Sequence, residues 1–471
     1  MKTRIGLLVS CLTLAALVAA DAQIEVPPAP TPAPAPAATP AAGPAARRSV
    51  LDESQPSAVT APGPDAQFDA AGLPLEPQST GPEVQPLVQP ESGEAVIAEE
   101  ATAEAPLRRR WRIAPVFSAG VVYDDNIFLS NVDRVADIIW TFSVGFAFEL
   151  GDFRGGAVSL GERRGGTENY LIAGWIGVPV FYTNNSDQNA FNQYAYLGLQ
   201  YRWTKLVAIF DSSFSIVKGA SREISQIITT TTFANSLRFN YDYSEKTLIK
   251  LDFRQWASFT DDFQDNHTYE IRAGMTYQIM PKTKIGPEFA VGTSAATDSP
   301  FSYYEQVLGT TTWTPTPKFT FRFAGGLEIR QVEGGDPPVR FGPIFSLGME
   351  YHPFDGTSVS LSAYSNISAS SAIANEQFTA TGFSLGFEQR LFQKFVVAIS
   401  FGYENDQYSG IEVEDSTDRV DNYVYFRPRI SYTFIQWLSA SIFYEYRRTD
   451  SSQVDRSFYD NRLGMEFATR F

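Results

Sequence analysis

"SLRFNYDY", residues 236–243, alternates without a break: Leu237, Phe239, Tyr241 and Tyr243 fall on one face, and Arg238, Asn240 and Asp242 on the other. A period of two is the pattern of a strand with two unlike faces. The next segment repeats it, with Ile249, Leu251 and Phe253 against Lys250, Asp252 and Arg254, and near the C-terminus Leu463, Met465 and Phe467 oppose Arg462, Gly464 and Glu466. A soluble sandwich or propeller also alternates, but barrel interiors in soluble proteins are apolar. Here the face that must be enclosed is charged and the other is aromatic and aliphatic, which is the arrangement of a barrel whose outside meets lipid.

The same dissection applied outward gives eighteen strands, from 115–123 through 206–217, 229–243 and 246–257 to 458–471. Most exceed the usual globular length of about 5 to 6 residues. Their connections alternate in length. The odd ones, such as 124–136, 218–228, 258–267 and 407–419, are long and polar, while the even ones include "TK" at 204, "SE" at 244, "MPKT" at 280 and "TFI" at 433. Long loops on one rim and tight turns on the other predict an all-β fold, a transmembrane antiparallel β-barrel of about 18 strands in an outer membrane. The second connection, 151–167, breaks the rule and hides either a short extra strand or an insertion on the turn side; an even strand count favours the insertion. Trp140, Trp203, Trp256, Trp313 and Trp437 fall at predicted strand ends, as an interfacial girdle requires, and Trp175 alone is placed mid-strand.

N-terminal to the alternating region the chain has a different character. Lys2 and Arg4 precede an apolar segment to Ala20 and an Ala20-Asp21-Ala22 exit, the pattern of a secretory signal peptide over residues 1–22. "LVSC", residues 8–11, mimics a lipoprotein attachment motif, but the apolar segment before Cys11 is too short for one. Cys11 is the only cysteine, so the expected mature chain has neither disulfide nor thiolate metal site. Residues 23–107 form a Pro/Ala-rich acidic arm too poor in apolar residues to fold, expected as a disordered periplasmic linker ahead of the barrel at 108–471. Of the net charge of -16, residues 21–107 contribute -11 and residues 108–471 only -7, offset by +2 in the signal. Neither part has the basic field that nucleic-acid binding needs.

"APVFSAGVVYDDNIF" at the start of the barrel, "VFYTNNSDQNAFNQYAYLGLQYRW" at 180–203 and the terminal "LGMEFATRF" resemble the type 2 β-barrel porin family of Gram-negative outer membranes. The resemblance covers roughly residues 108–471. It implies a porin-like channel for hydrophilic solutes, and in some members the outer-membrane step of exopolysaccharide export. Leu463, Met465, Phe467 and Phe471, in alternate register, resemble the signal read by the barrel-assembly machinery, with Thr469 standing where that signal prefers an apolar residue. The expected partners are therefore outer-membrane lipid and lipopolysaccharide, that machinery, and periplasmic polysaccharide-export components.

Function is expected on the inward face. Arg238, Lys250, Asp252, Arg254, Arg272, Arg322, Arg330, Tyr425, Arg427, Arg429 and Arg447 fall on the polar side of their strands, as do Glu270, Glu328, Glu350, Glu388 and Glu445. Any water-filled lumen needs such a lining, and paired charges crosslink strands. Clusters such as Lys250, Arg254 and Arg272, or Arg427, Arg429 and Arg447, would set an electrostatic path for an anionic or sugar-like solute, and Tyr423 and Tyr425 would stack on sugar rings. The tracts beginning at Tyr123, Tyr182, Phe259 and Tyr403 place Asp and Asn at the tops of strands. Such residues close turns through their own backbone; a calcium-bridged lipopolysaccharide contact is the alternative, but none has the spacing of a calcium loop. His267, expected in a loop, and His352, in a turn, are the only histidines, and neither has a triad-like partner, so no catalytic residue, cofactor or metal is assigned and no enzyme is expected. A closed structural or adhesion barrel working through its loops is the second reading.

Overall fold

The computed structural model describes residues 111–151, 169–297, 299, 301–333, 339–370, 376–392, 394–410, 419–435 and 437–470. The expected signal, the whole of the arm and Phe471 lie outside the described residues. The strands are β1 Trp111–Asp124, β2 Asp137–Gly151, β3 Tyr170–Tyr182, β4 Ala190–Arg202, β5 Leu206–Ser221, β6 Gln226–Ser244, β7 Thr247–Thr260, β8 Asn266–Met280 and β9 Thr283–Ala296. They continue as β10 Ser302–Thr316, β11 Phe319–Val332, β12 Val339–Tyr351, β13 Thr357–Ala369, β14 Glu376–Leu391, β15 Phe395–Gly410, β16 Val420–Ile435, β17 Leu438–Ser451 and β18 Phe458–Arg470.

Each strand pairs antiparallel with its neighbours in sequence, and β1 closes on β18 with Val116 opposite Arg470 and Asp124 opposite Arg462. Closure leaves no unpaired edge, the condition for strands in hydrocarbon. Among the described residues no helix is long and apolar enough to cross a membrane; the strands do the crossing. β2 pairs directly with β3, Gly151 opposite Tyr170; residues 152–168 of the long second connection lie outside the described residues.

The two faces separate as alternation demands. On β2, Ile138, Trp140, Phe142, Val144, Phe146 and Leu150 are all exposed, whereas Asp137, Ile139, Ser143 and Glu149 between them are buried. On β1 the exposed face runs from Trp111 to Tyr123. That is about 40 Å of strand at ~3.3 Å per residue, or about 30 Å of height at the usual barrel tilt of about 40°. Aromatic pairs ring the turn rim: Tyr201 and Trp203 meet edge-on at 4.5 Å, Trp313 and Phe319 at 5.8 Å, and Phe395 and Tyr432 at 4.6 Å. At the loop rim Trp140 donates its indole N–H to Thr183 Oγ1 at 3.3 Å. Rings with a wet end and a greasy end fit both membrane interfaces.

All eighteen predicted strands are present, but the odd-numbered connections are shorter than their polarity implies. The expected loop 218–228 is mostly strand, with Lys218 opposite Thr229 and Ser221 opposite Gln226. Likewise β7 and β8 take up half of 258–267, which puts His267 in a strand, and β15 continues to Gly410. The cause is local: the β-branched run Ile227–Ile228–Thr229–Thr230–Thr231–Thr232 favours strand whatever its polarity, and a hairpin above the lipid has no need of an apolar face. Trp256 also departs from the girdle. It shares the inward parity of Lys250, Asp252 and Arg254 and is 8% exposed, so its register outranks its nearness to a strand end.

Candidate functional site

The inward side chains of β6 to β11 form one continuous charge ladder, built because residues opposite each other across strands project to the same face. Arg238 on β6 faces Asp252 on β7 at 3.6 Å, and Asp252 also takes Arg254 at 2.6 Å. Arg254 meets Glu270 on β8 at 3.2 Å, Glu270 meets Arg272 at 3.0 Å, and Arg272 reaches Glu288 on β9 at 2.5 Å. Arg272 also donates to Gln306 Oε1 on β10 at 2.9 Å, Gln306 donates to Glu328 Oε2 on β11 at 2.8 Å, and Arg330 Nε closes the row on Glu328 Oε1 at 2.7 Å. Arg322 pairs with Glu350 at 3.0 Å in a more open setting near the turn rim.

This arrangement changes the meaning of the two basic clusters. Arg254 and Arg272 are interleaved with Asp252, Glu270 and Glu288, so they form a neutral zipper and not a cationic stripe; Lys250 beside them has no carboxylate partner among the described residues. Of the second cluster, Arg429 pairs with Glu466 at 2.9 Å and Arg447 with Asp460 at 2.5 Å. Arg427 has no such partner among the described residues and lies over the Phe443 ring at 4.5 Å. Tyr425 lies flat on the wall, since a Cβ on Gly402 would stand 2.1 Å from its ring, and its ring centre is 6.0 Å from that of Tyr423. The side chains of Leu463, Met465 and Phe467 are exposed on the outer face of β18.

The aspartate and asparagine tracts divide. Asp124 Oδ1 accepts the Asn126 N–H at 2.8 Å, Asn189 Oδ1 accepts that of Tyr182 at 2.8 Å, and Asp265 Oδ1 accepts that of Thr260 at 3.0 Å, so three tracts do close turns. Asp124, Asp125 and Asp460 bring oxygens within 4.8 Å of one another. Each already has a guanidinium: Arg462 on Asp124 at 3.2 Å, Arg134 on Asp125, and Arg447 on Asp460. Arg462 is shared with Glu445 at 3.4 Å, so four acids divide three arginines among them. The fourth tract, from Tyr403, is not a turn; it lies within β15 and points Glu404 and Asp406 inward.

Those two acids receive the one feature with no signal in the sequence. The tip of the β5–β6 hairpin, residues 222–225, crosses the loop-rim mouth and docks on the opposite wall. Arg222 binds Glu404, and Asp406 Oδ2 at 2.9 Å, while its guanidinium lies over the Tyr423 ring at 4.4 Å. Ser370, past β13, donates to Glu223 Oε1 at 2.6 Å. Arg456, in a short 3-10 turn before β18, donates to the backbone oxygens of Glu223 and Ile224 at 3.0 and 2.7 Å, and Arg419, before β16, reaches Glu223 O at 3.4 Å. Leu129 from the β1–β2 loop packs with Tyr423 and Phe458 beside Ala220. The partners are 147 to 233 residues apart in sequence, beyond the reach of any local pattern.

A closed antiparallel barrel of eighteen strands, apolar outside and charged inside, is a porin-like outer-membrane β-barrel. Residues 341–471, from within β12 to the C-terminus, match the family described as "putative beta-barrel porin 2". No curated protein matches the chain. Among solved structures it is similar to Acinetobacter baumannii OccAB4, at 10% identity and a TM-score of 0.42, over 77% of this chain and 99% of that one. It is also similar to the outer membrane protein OpdK from Pseudomonas aeruginosa, at 10% identity and a TM-score of 0.38, over 76% and 99%. A third is the siderophore receptor PirA from Pseudomonas aeruginosa, at 9% identity and a TM-score of 0.37, over 78% and 81%.

Proposed function

We propose that the protein is a porin-like outer-membrane channel for small hydrophilic solutes, with sugar-like molecules as the preferred class. The observation that carries this is the charge ladder from Arg238 to Arg330: a wall of cancelled charges is wettable but presents little net field. Such a lining suits polar neutral solutes better than ions of one sign. The half-buried ring of Tyr425 adds stacking surface, whereas Tyr423 is buried beneath the Arg222 guanidinium, and Arg427 beside Phe443 is, with Lys250, a wall cation without an ion-pair partner among the described residues. Passage of a secreted polysaccharide is the extended form of the same reading, and it would bring periplasmic export components as partners. Outer-membrane lipid, lipopolysaccharide and the barrel-assembly machinery complete the proposed partners.

The docked hairpin favours a second reading, a closed structural or adhesion barrel. Single-channel conductance of the refolded protein in a planar bilayer, with and without residues 23–107, separates the two. Steady conductance supports the channel; conductance only after deletion makes the arm a plug; silence from both forms overturns the channel reading.

A further inference from the structure

We propose that the docked hairpin is a proton-operated latch: closing it across the loop-rim mouth takes up protons, so acid holds it shut and rising pH releases it. Among the described residues the docking site gathers five carboxylates, Glu223 from the hairpin with Glu376, Glu404, Asp406 and Asp421 from the wall, against three guanidinia, Arg222, Arg419 and Arg456. Glu223, Glu376, Asp406 and Asp421 are all under 9% exposed. Asp406 and Asp421 sit directly opposite each other in register on β15 and β16, where like charges repel.

The hydrogen bonds cannot satisfy this set if every acid is ionised. Arg222 takes Glu404 and Asp406 Oδ2, Arg419 takes both oxygens of Asp421, and Arg456 is spent on backbone oxygens. Asp406 Oδ1 and Glu376 Oε2 are buried with no hydrogen-bond partner among the described residues. The Ser370 hydroxyl has one hydrogen, which it gives to Glu223, yet it also lies in hydrogen-bond contact with Glu376. One hydrogen divided between two carboxylates cannot satisfy both fully. Among the described residues the other groups facing the cluster add no unmatched positive charge: Tyr364 donates to Glu404, Tyr408 lies under Arg419, and behind Tyr423 Arg447 binds Asp460 while Arg462 is divided between Glu445 and Asp124. Arg340, from β12, is bound to Ser409 and Gly410.

When the hairpin lifts, water reaches Glu376 and Asp406, supplies the missing donors and lets the protons go. Carboxylates short of donors in a buried site favour the protonated form, so the closed state binds more protons than the open one. Its advantage is therefore complete in acid and is lost as pH rises. The gating consequence rests on the channel reading above; the movement of the hairpin does not.

The test is the distance between spin labels at Gln226→Cys, on the hairpin, and Gln407→Cys, on the outer side of β15, in the full-length protein in lipid vesicles, where Cys11 is the only native thiol. The expected result is a short distance at about pH 5 that lengthens by about pH 8, the closed fraction changing by roughly tenfold per pH unit for each coupled proton. Glu376→Gln should move the opening to higher pH and flatten it. Arg222→Ala should be long throughout, with heat-modifiable mobility on gels as the check of folding. An unchanged distance in the wild type, a Glu376→Gln variant that titrates like wild type, or a short distance in Arg222→Ala overturns the latch. Conductance recorded in parallel separates the two inferences. A moving hairpin in a silent barrel sinks the channel and keeps the latch, and steady conductance past an unmoving hairpin does the reverse.

Discussion

Arg222 and Asp406 meet at 2.9 Å although they stand 184 residues apart and belong to opposite sides of the barrel. An ion pair spanning a mouth is a mechanical tie, because the hairpin carrying Arg222 has no sheet neighbour there to hold it. Breaking the tie should expose the hairpin to protease. Trypsin should spare the bond after Arg222 in the wild type and cut it in the Glu404→Gln, Asp406→Asn double variant. Fragment masses from folded protein in vesicles give the answer; equal protection in both forms would show that the tip is held by Arg456 and Arg419 alone.

The ladder predicts a gradient of cost along the wall. Arg272 is 5% exposed and bonds Glu270, Glu288 and Gln306, so Arg272→Ala strands buried acids and should cost about 3 to 5 kcal/mol. Arg322→Ala, whose single partner is far more open, should cost less than about 1 kcal/mol. Urea-dependent folding into lipid vesicles measures both.

Gly402 makes room for Tyr425. A methyl at position 402 would overlap the ring, so Gly402→Ala should destabilise the barrel by about 1 to 3 kcal/mol. Adding Tyr425→Ala should recover part of the loss, which a double-mutant cycle would register as coupling. Additive losses would mean that the ring moves aside freely.

Asp125, just past β1, gives a pH dependence of the opposite sense to the latch. Burial raises its pKa, but the Arg134 guanidinium and the Asn461 backbone and amide N–H groups outweigh this and hold it below its ordinary 3.8. A lowered folded value contributes stability that is present above about pH 4 and lost as pH falls through it. Hydrogen-exchange protection in the β1–β2 loop, taken relative to the intrinsic rate at each pH, should therefore stay flat from neutral pH to about pH 4 and fall only below that.

Because Asp124 and Asp125 are both matched by arginines, replacing the two with asparagine should leave the barrel assembled and indifferent to calcium. Loss of heat-modifiable mobility in that variant, or its rescue by calcium, would revive the metal reading.

Strand number, strand type and the outward or inward sense of each side chain were set by the sequence itself, because alternation is a property of adjacent residues and needs no partner to exist. Leu237 and Arg238 declare their faces wherever the strand ends up. Even Trp256, whose nearness to a strand end suggests the girdle, carries its inward parity in the positions of Lys250, Asp252 and Arg254. Loop lengths were legible only in part, since polar residues mark contact with water and not the end of pairing. The balance of the wall was not legible at all: whether Arg254 is a free cation or one rung of a neutral ladder depends on Asp252 and on Glu270 across the strand, and therefore on register. The crossing of the β5–β6 hairpin belongs wholly to the tertiary structure. Closure of eighteen strands into a ring sets β5 and β15 opposite each other, and only that geometry brings Arg222 to Glu404 and Asp406.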